Sequence, residues 1–343
     1  MLAEVEAVKL MTIDRRTVIK GLGAGAVALT GFPAVAQAPV VIKFSHVVAE
    51  DTPKGKGALK FKELAEKYTS GKVKIEVYQN SILYKDKEEI EALQLGAVQM
   101  LAPSTGKFAP LGAKEFEVMD LPFLFKDDAS FIKASQGQAG QWLMRKLEPK
   151  GVTGLAFWDN GFYIVSANKP LIAPADFQGV KFRISGSKVA DHYLRLLGAQ
   201  PQILPFSELY QALQTGVVDG CDNTPSNYLT QKLHEVQKHI TVAEHAHLQY
   251  VVIVNAKFWS ELPADMRAAL EKAMAEATDY TNSIAHQENV MAMEAIKTSG
   301  KCEIHVLTEA QRKAWVDAMM PTYAWAEGRV GKEAVDLLRK ATA

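Results

Sequence analysis

Cysteine is nearly absent from this chain, with only Cys221 and Cys302 among 343 residues. That excludes a disulfide-built scaffold, and two cysteines so far apart show no metal-ligand spacing, so both read as free thiols. A charge excess of either sign is missing too, since 39 basic residues face 39 acidic ones. Nucleic acid and anionic membrane are therefore not expected as main partners. No apolar run is long enough for a permanent bilayer span. There is no repeat of fixed period, no low-complexity tract and no Ser/Gly linker. Also missing are a G-x-S-x-G elbow, a phosphate loop in the mature chain and a histidine–carboxylate metal spacing. The expectation is a protein without cofactor or resident metal, and not an enzyme.

What is present is ample core material. Apolar residues make up 48% of the chain, enough for one large or two ordinary domains. The first ~38 residues read as an address rather than as structure. Arg15-Arg16-Thr17-Val18-Ile19-Lys20 is a twin-arginine pattern, followed by an uncharged run from Gly21 to Phe32 and small residues at Ala34, Ala36 and Ala38. This is a Tat-like signal peptide, which places the mature protein in the periplasm. Cleavage after Ala36 is favoured over Ala38, because Pro39 would follow the latter cut. Gly21-Leu22-Gly23-Ala24-Gly25 imitates a dinucleotide loop, but no strand precedes it.

The mature chain opens with strand Val40 to His46. Thr52 then reads as an N-cap with Pro53 at the first helical position, leading a helix with Ala58, Phe61, Leu64, Ala65 and Tyr68 on one face. Strand Val73 to Tyr78, helix Asp86 to Leu95 and strand Val98 to Ala102 complete a β-α-β-α-β order, which implies a parallel sheet. Its strand ends, at His46 and Ser104, should share one edge. Further on, Leu155 to Trp158 runs into Asp159-Asn160-Gly161, a turn signal, with Phe162 to Ala167 continuing as another strand.

The stretch Lys181 to Asn223 organises the rest. Val180 to Ile184 and Val217 to Cys221 read as short buried strands, Lys188 to Leu197 as a helix, and Ser207 to Thr215 as a capped helix closed by Gly216. In such α/β units ligands gather where strands end and helices begin. Arg183 lies in the apolar strand, where a lone guanidinium is costly to bury without an anion. Two readings compete: an ion pair within the chain, or a clamp on a ligand carboxylate, which the planar guanidinium matches bidentately.

After it, Leu229 to Lys238 reads as helical and Tyr250 to Asn255 as a strand. His234, His239, His245 and His247 lack a Cys or carboxylate at matching spacing, so no metal site is expected. Asp265 to Ser299 contains neither Pro nor Gly, and as one helix would run on the order of 50 Å. That exceeds the needs of one compact domain and suggests a helix spanning two lobes. Gly300 ends it, Glu303 to Val306 returns as a strand, and Thr308 caps a terminal helix that stops before Pro321.

K-F-R-I at 181–184, P-F-S-E-L-Y-Q-A-L-Q-T-G-V-V-D-G from Pro205 and the following Asn223 resemble the TRAP-type periplasmic solute-binding family, in its C4-dicarboxylate-receptor branch. F-S-H-V-V-A-E-D-T-P-K-G, from Phe44, resembles the opening of the same branch, and the likeness extends over essentially the whole mature chain. It implies an α/β, two-lobed periplasmic-binding-protein fold with a long helix spanning both lobes: residues 39–160 plus 249–288 in one lobe, 161–248 plus 289–343 in the other. It also implies a monomeric receptor that closes on a small organic acid, succinate, malate or fumarate, and delivers it to the membrane subunits of a TRAP permease.

The resemblance assigns the carboxylate to Arg183, with Phe206 and Asn223 lining the cleft. Ser104 is expected to add a hydrogen bond, and His46 or Lys54 to meet the ligand's far end. Two positions depart from the family. Tyr163 stands where a basic ligand contact is common, which leaves a monocarboxylate or aromatic acid as the alternative. Cys221 stands where Gln is usual, and a nucleophilic Cys221 activated by Arg183 is the one residue on which an exported enzyme would rest. Transfer of the closed form to a sensor kinase is a third reading.

Overall fold

The computed structural model describes residues 38–343; the twin-arginine stretch, the apolar run and the cleavage after Ala36 fall outside the described residues. Among the described residues the strands are β1 (Val40–Ser45), β2 (Val73–Tyr78), β3 (Met100–Leu101), β4 (Val152–Phe162), β5 (Ile164–Ala167), β6 (Lys181–Ile184), β7 (Gln200–Ile203), β8 (Gly220–Asn223), β9 (His239–Val242), β10 (His247–Asn255) and β11 (Glu303–Val306). They form a five-stranded sheet, ordered β2-β1-β3-β10-β4, and a six-stranded sheet, ordered β11-β9-β5-β8-β6-β7. No helix among the described residues is long and apolar enough to cross a membrane.

The first sheet starts as the hydrophobic pattern requires. β1 pairs in parallel with β2 and with β3, so the ends of β1 and β3 lie at the same edge. Thr52 caps the helix Pro53–Tyr68 by accepting the Gly55 N–H at 3.1 Å. Two elements are shorter than the sequence predicts. The helix expected over Asp86 to Leu95 spans only Glu89–Gln94, and Asp86 and Glu89 both bind Lys107. The strand expected over Val98 to Ala102 is two residues long; Pro103 follows with no N–H to give, and pairing resumes as a single bridge from Ser104 to Tyr250.

Asp159-Asn160-Gly161 does not turn the chain: β4 runs straight through it. The Asp159 carboxylate accepts the Gly161 N–H at 2.7 Å, Gly161 takes φ 89°, and the partner strand β10 slips register opposite, between Leu248 and Gln249. A local Asx bond plus a left-handed glycine makes a bulge here instead of a hairpin. The chain leaves the first sheet at Tyr163, enters the second as β5, and returns between β9 and β10.

Other boundaries shift for local reasons. The strand predicted at Val217 to Cys221 begins at Gly220, because the N–H groups of Val217 and Val218 still bond back to Ala212 at the end of the preceding helix. The helix expected over Leu229 to Lys238 is instead Pro225–Thr230, separated by left-handed Lys232 (φ 58°) from a short turn of helix Leu233–Glu235. Beyond Glu309–Met319 the chain does not stop being helical at Pro321, where the proline starts the helix Pro321–Val330.

The long helix is one unbroken element, Ala264–Thr298, 35 residues. It lies so close to Pro53–Tyr68 that a Cβ on Gly57 would sit 2.2 Å from Thr281 Oγ1. It then braces the crossing. Trp158 Nε1 donates to Thr278 Oγ1 (3.0 Å), the Asp159 N–H to Asn282 Oδ1 (2.8 Å), and Asn289 Nδ2 to the Asn160 carbonyl (2.8 Å). Asn289 Oδ1 meanwhile accepts the Ser226 N–H at 2.9 Å, tying the helix Pro225–Thr230 to the same point.

Candidate functional site

In both sheets the parallel strands point their C-terminal ends at one polar cavity, the place where an α/β sheet offers free backbone and side-chain donors. Val47 and Val48 follow β1, Ser104 and Lys107 follow β3, Arg183 lies near the end of β6 with Ser185 just past it, and Asp222 and Asn223 end β8; all line the cavity. Phe206, Tyr163, Asn227 and Tyr250 close it. It continues past Ser104 and Tyr163 to Asp120, Ser187 and Tyr193.

Arg183 is 4% exposed, yet among the described residues it forms no ion pair. Its Nε donates to the Leu204 carbonyl at 3.0 Å, which fixes the plane of the group, and its Cζ lies 5.8 Å from the centroid of the Phe206 ring. Asp86 also lines the cavity, but both its oxygens are engaged, Oδ1 with Lys107 Nζ at 2.6 Å and Oδ2 with the Phe206 N–H at 2.9 Å. Burial opposes ionisation of Asp86, but Lys107, then Arg183, hold its carboxyl well below the usual range. The fork of Arg183 is therefore not consumed by an internal pair.

Lys107 is the second cation of the cavity. It bonds Asp86 and, at 2.8 Å, Glu89. Burial works against its charge, but these two carboxylates push its ammonium above the ordinary lysine value. An ammonium carries three donors, and two are taken. Sequence reasoning missed Lys107: it sits in T-G-K after an unremarkable strand, and only the packing of 86–89 against it sets it apart.

Polar atoms without a partner in the protein gather on the same walls: Ser104 Oγ, Asn227 Oδ1 and Asp120 Oδ2. Asn223 Oδ1 accepts both the Thr224 N–H and Asn227 Nδ2, which leaves its own amide N–H₂ as the free donor. Asn227 Nδ2 also reaches the Tyr250 hydroxyl at 2.9 Å. Asp120 accepts from Thr105 Oγ1 at 2.8 Å, and burial pushes its carboxyl up to about 7. Burial likewise holds Tyr163 well above the ordinary phenol value, so it stands in the wall as a neutral hydroxyl. A larger, more apolar groove of about 360 Å³ lies at Lys126, Phe162, Val242, His286 and Met293. Neither Arg183 nor any of these unpartnered buried atoms lines it.

Five of the seven residues singled out from the sequence, Arg183, Asn223, Phe206, Ser104 and Tyr163, line the cavity. His46 and Lys54 do not. His46 is buried edge-on to Phe44, and burial, then the charge of Lys54, lower its imidazole to about 3. Lys54 is fully buried, donates to the Ala102 carbonyl at 3.0 Å and sits 3.6 Å from the ring centroid of Tyr250. It reaches the cavity only through that ring, and burial brings its ammonium down to about 7. His245 and His247 do not converge; they face Asp222 at 3.4 Å and Asp159 at 3.1 Å respectively.

Cys221 lies in an apolar cluster with Ile164, Leu209 and Tyr228 rather than in the wall, and burial pushes its thiol up to about 12. Activation of Cys221 by Arg183 is therefore corrected: the guanidinium's pull is outweighed by desolvation. Both cysteines are free.

Two α/β sheets with strand ends facing one polar cavity, and chain crossings braced by a long helix, define a solute-binding protein of the periplasmic type. The sequence pattern of the bacterial extracellular solute-binding proteins, family 7, matches residues 44–328. The C4-dicarboxylate-binding periplasmic protein DctP of Rhodobacter capsulatus is 59% identical over 332 residues, covering 96% of this chain and 99% of its own. A TRAP periplasmic solute-binding protein of Shewanella oneidensis, solved with bound succinate, superposes with a TM-score of 0.87 at 42% identity, over 89% of this chain and 100% of its own. A TRAP solute-binding protein of Pseudomonas aeruginosa, solved with bound L-malate, gives 0.81 at 43% identity, over 83% and 99%. The chain belongs to the TRAP-type solute-binding family, family 7 of the bacterial extracellular solute-binding proteins, whose members are receptors.

Proposed function

We propose that the mature chain is a periplasmic receptor that captures a C4-dicarboxylate, of the succinate, malate or fumarate type, and delivers it to the membrane subunits of a TRAP permease. The observation that carries this reading is Arg183: a buried guanidinium, oriented by Leu204, in no ion pair among the described residues and lining a polar cavity. Its fork takes one carboxylate of the ligand. Asn223 and Ser104 donate to the ligand's oxygens, Phe206 packs its carbon skeleton, and Tyr163 offers a neutral hydroxyl. Lys107, with one donor uncommitted, answers the second carboxylate, for which Tyr163 supplies no cation. Lys54 supports this wall from behind Tyr250, His46 is buried against Phe44, and neither touches the ligand. The succinate and L-malate bound by the two solved relatives favour the same ligand class.

In this reading residues 39–160 with 249–288 form one lobe and 161–248 with 289–343 the other, hinged at the bulge of β4. The twin-arginine signal exports the chain as a folded monomer. Ligand stabilises the closed form, which the permease reads, so no chemical step is involved. Isothermal titration of residues 39–343 with succinate, L-malate, fumarate and a panel of monocarboxylates and aromatic acids tests the assignment. Micromolar or tighter binding of the C4 acids is expected, about −8 kcal/mol. A preference for a monocarboxylate or aromatic acid, with no response to any C4 acid, would overturn it.

A further inference from the structure

We propose that His239, Glu303 and His305 form a divalent transition-metal site of zinc type on the edge of the six-stranded sheet, independent of the organic-acid cavity. The arrangement comes from a register that joins residues far apart in sequence. β9 and β11 run parallel with Glu303 opposite His239 and His305 opposite Thr241. Side chains alternate along a strand, so Glu303 and His305 share one face of β11, and His239 presents on the same face of β9.

The three donor atoms close a triangle. His239 Nδ1 lies 3.1 Å from His305 Nε2 and 3.5 Å from Glu303 Oε2, and His305 Nε2 lies 3.8 Å from Glu303 Oε1. Tetrahedral zinc holds His and carboxylate ligands at about 2.0–2.2 Å, which separates ligand atoms by about 3.3–3.5 Å. The observed spacings bracket that edge length, and little movement would seat an ion. The 3.1 Å contact between the two imidazole nitrogens is met either by an N–H···N hydrogen bond between neutral rings or by a cation that both lone pairs bind. Both histidines are about four-fifths buried, whereas Glu303 is 67% exposed. The face is thus open for water as a fourth ligand, and two imidazoles with one carboxylate form a donor set that zinc accepts.

Occupancy would pin β11, an edge strand, to β9. An ion bound only by the folded chain stabilises it by RT ln(1 + L/Kd), where L is the free ion concentration and Kd the dissociation constant.

The test is equilibrium dialysis of tag-free mature protein against Zn²⁺ at about pH 7.5, where imidazole is largely neutral, with thermal melting alongside. One Zn²⁺ per chain and a rise in Tm are expected. His239→Ala and His305→Ala should each weaken binding at least tenfold and abolish the Tm rise, and Glu303→Gln should weaken it less. Circular dichroism and retained binding of the organic acid report that the variants fold. No stoichiometric binding overturns the site. So does binding that survives both histidine substitutions, or that disappears instead in His247→Gln, whose ring forms a separate cluster with Asp128 and Asp159.

Discussion

Replacing Arg183 by alanine removes the group on which the receptor reading rests, and its size can be worked from the structure. Among the described residues the side chain spends only its Nε, on the Leu204 carbonyl. The two terminal nitrogens are left for the ligand, and each hydrogen bond to a charged group contributes ~1.5–3 kcal/mol. Loss of both predicts ~3–6 kcal/mol, roughly 10²–10⁴-fold in Kd. Arg183→Lys keeps the charge but not the fork, and should recover part of the loss. The fold itself loses one side-chain bond, about 1 kcal/mol, so the ligand-free melting temperature should move little. Calorimetric titration with succinate, paired with ligand-free thermal melting of each variant, separates the two effects. An Arg183→Ala protein that binds the acid with unchanged affinity would refute the assigned role. Parent-like affinity in Arg183→Lys would refute the bidentate geometry while sparing the site.

Lys107→Met leaves Asp86 and Glu89 buried without their shared cation, and urea denaturation should register about 3–5 kcal/mol of lost stability; a loss below 1 kcal/mol would show that the two carboxylates find other partners. Asp120 has a carboxyl raised to about 7 by burial, so the folded state holds a proton that the unfolded chain releases near pH 4. Its contribution is fully present below that value and is lost as the pH rises through about 7. Asp120→Asn should therefore flatten the ligand-free stability between about pH 4 and 7 relative to the parent, and parallel profiles would contradict it. At Gly161, φ is 89° and an added Cβ would sit 2.6 Å from Asn289 Nδ2. Gly161→Ala should cost about 1–3 kcal/mol through backbone strain and disturb the bracing of the crossing; chemical denaturation showing no change would place the strain elsewhere.

The pattern of apolar residues, caps and breakers sufficed for the parallel β-α-β-α-β start, for the capped helix after Thr52 and for the long helix expected over Asp265 to Ser299 and found at Ala264–Thr298, because each is set by neighbours in sequence. The motif around Arg183 sufficed to mark the cavity's main cation. Where local signals were ambiguous the reading slipped. Asp159-Asn160-Gly161 is chemically a turn, and it became a bulge because β10 was there to pair with both sides of it. His46 follows β1 and Lys54 opens the next helix, but whether a side chain faces the cavity or the core depends on what packs against it, here Phe44 and Tyr250.

Lys107 and Asp120, the Arg183 fork left unpaired among the described residues, and the His239–Glu303–His305 triangle are products of contacts between segments well separated in sequence. Local sequence determined which elements form and which residues carry charge. Only the tertiary structure decided which charges are neutralised from within and which remain for a ligand, since burial and long-range pairing set that balance.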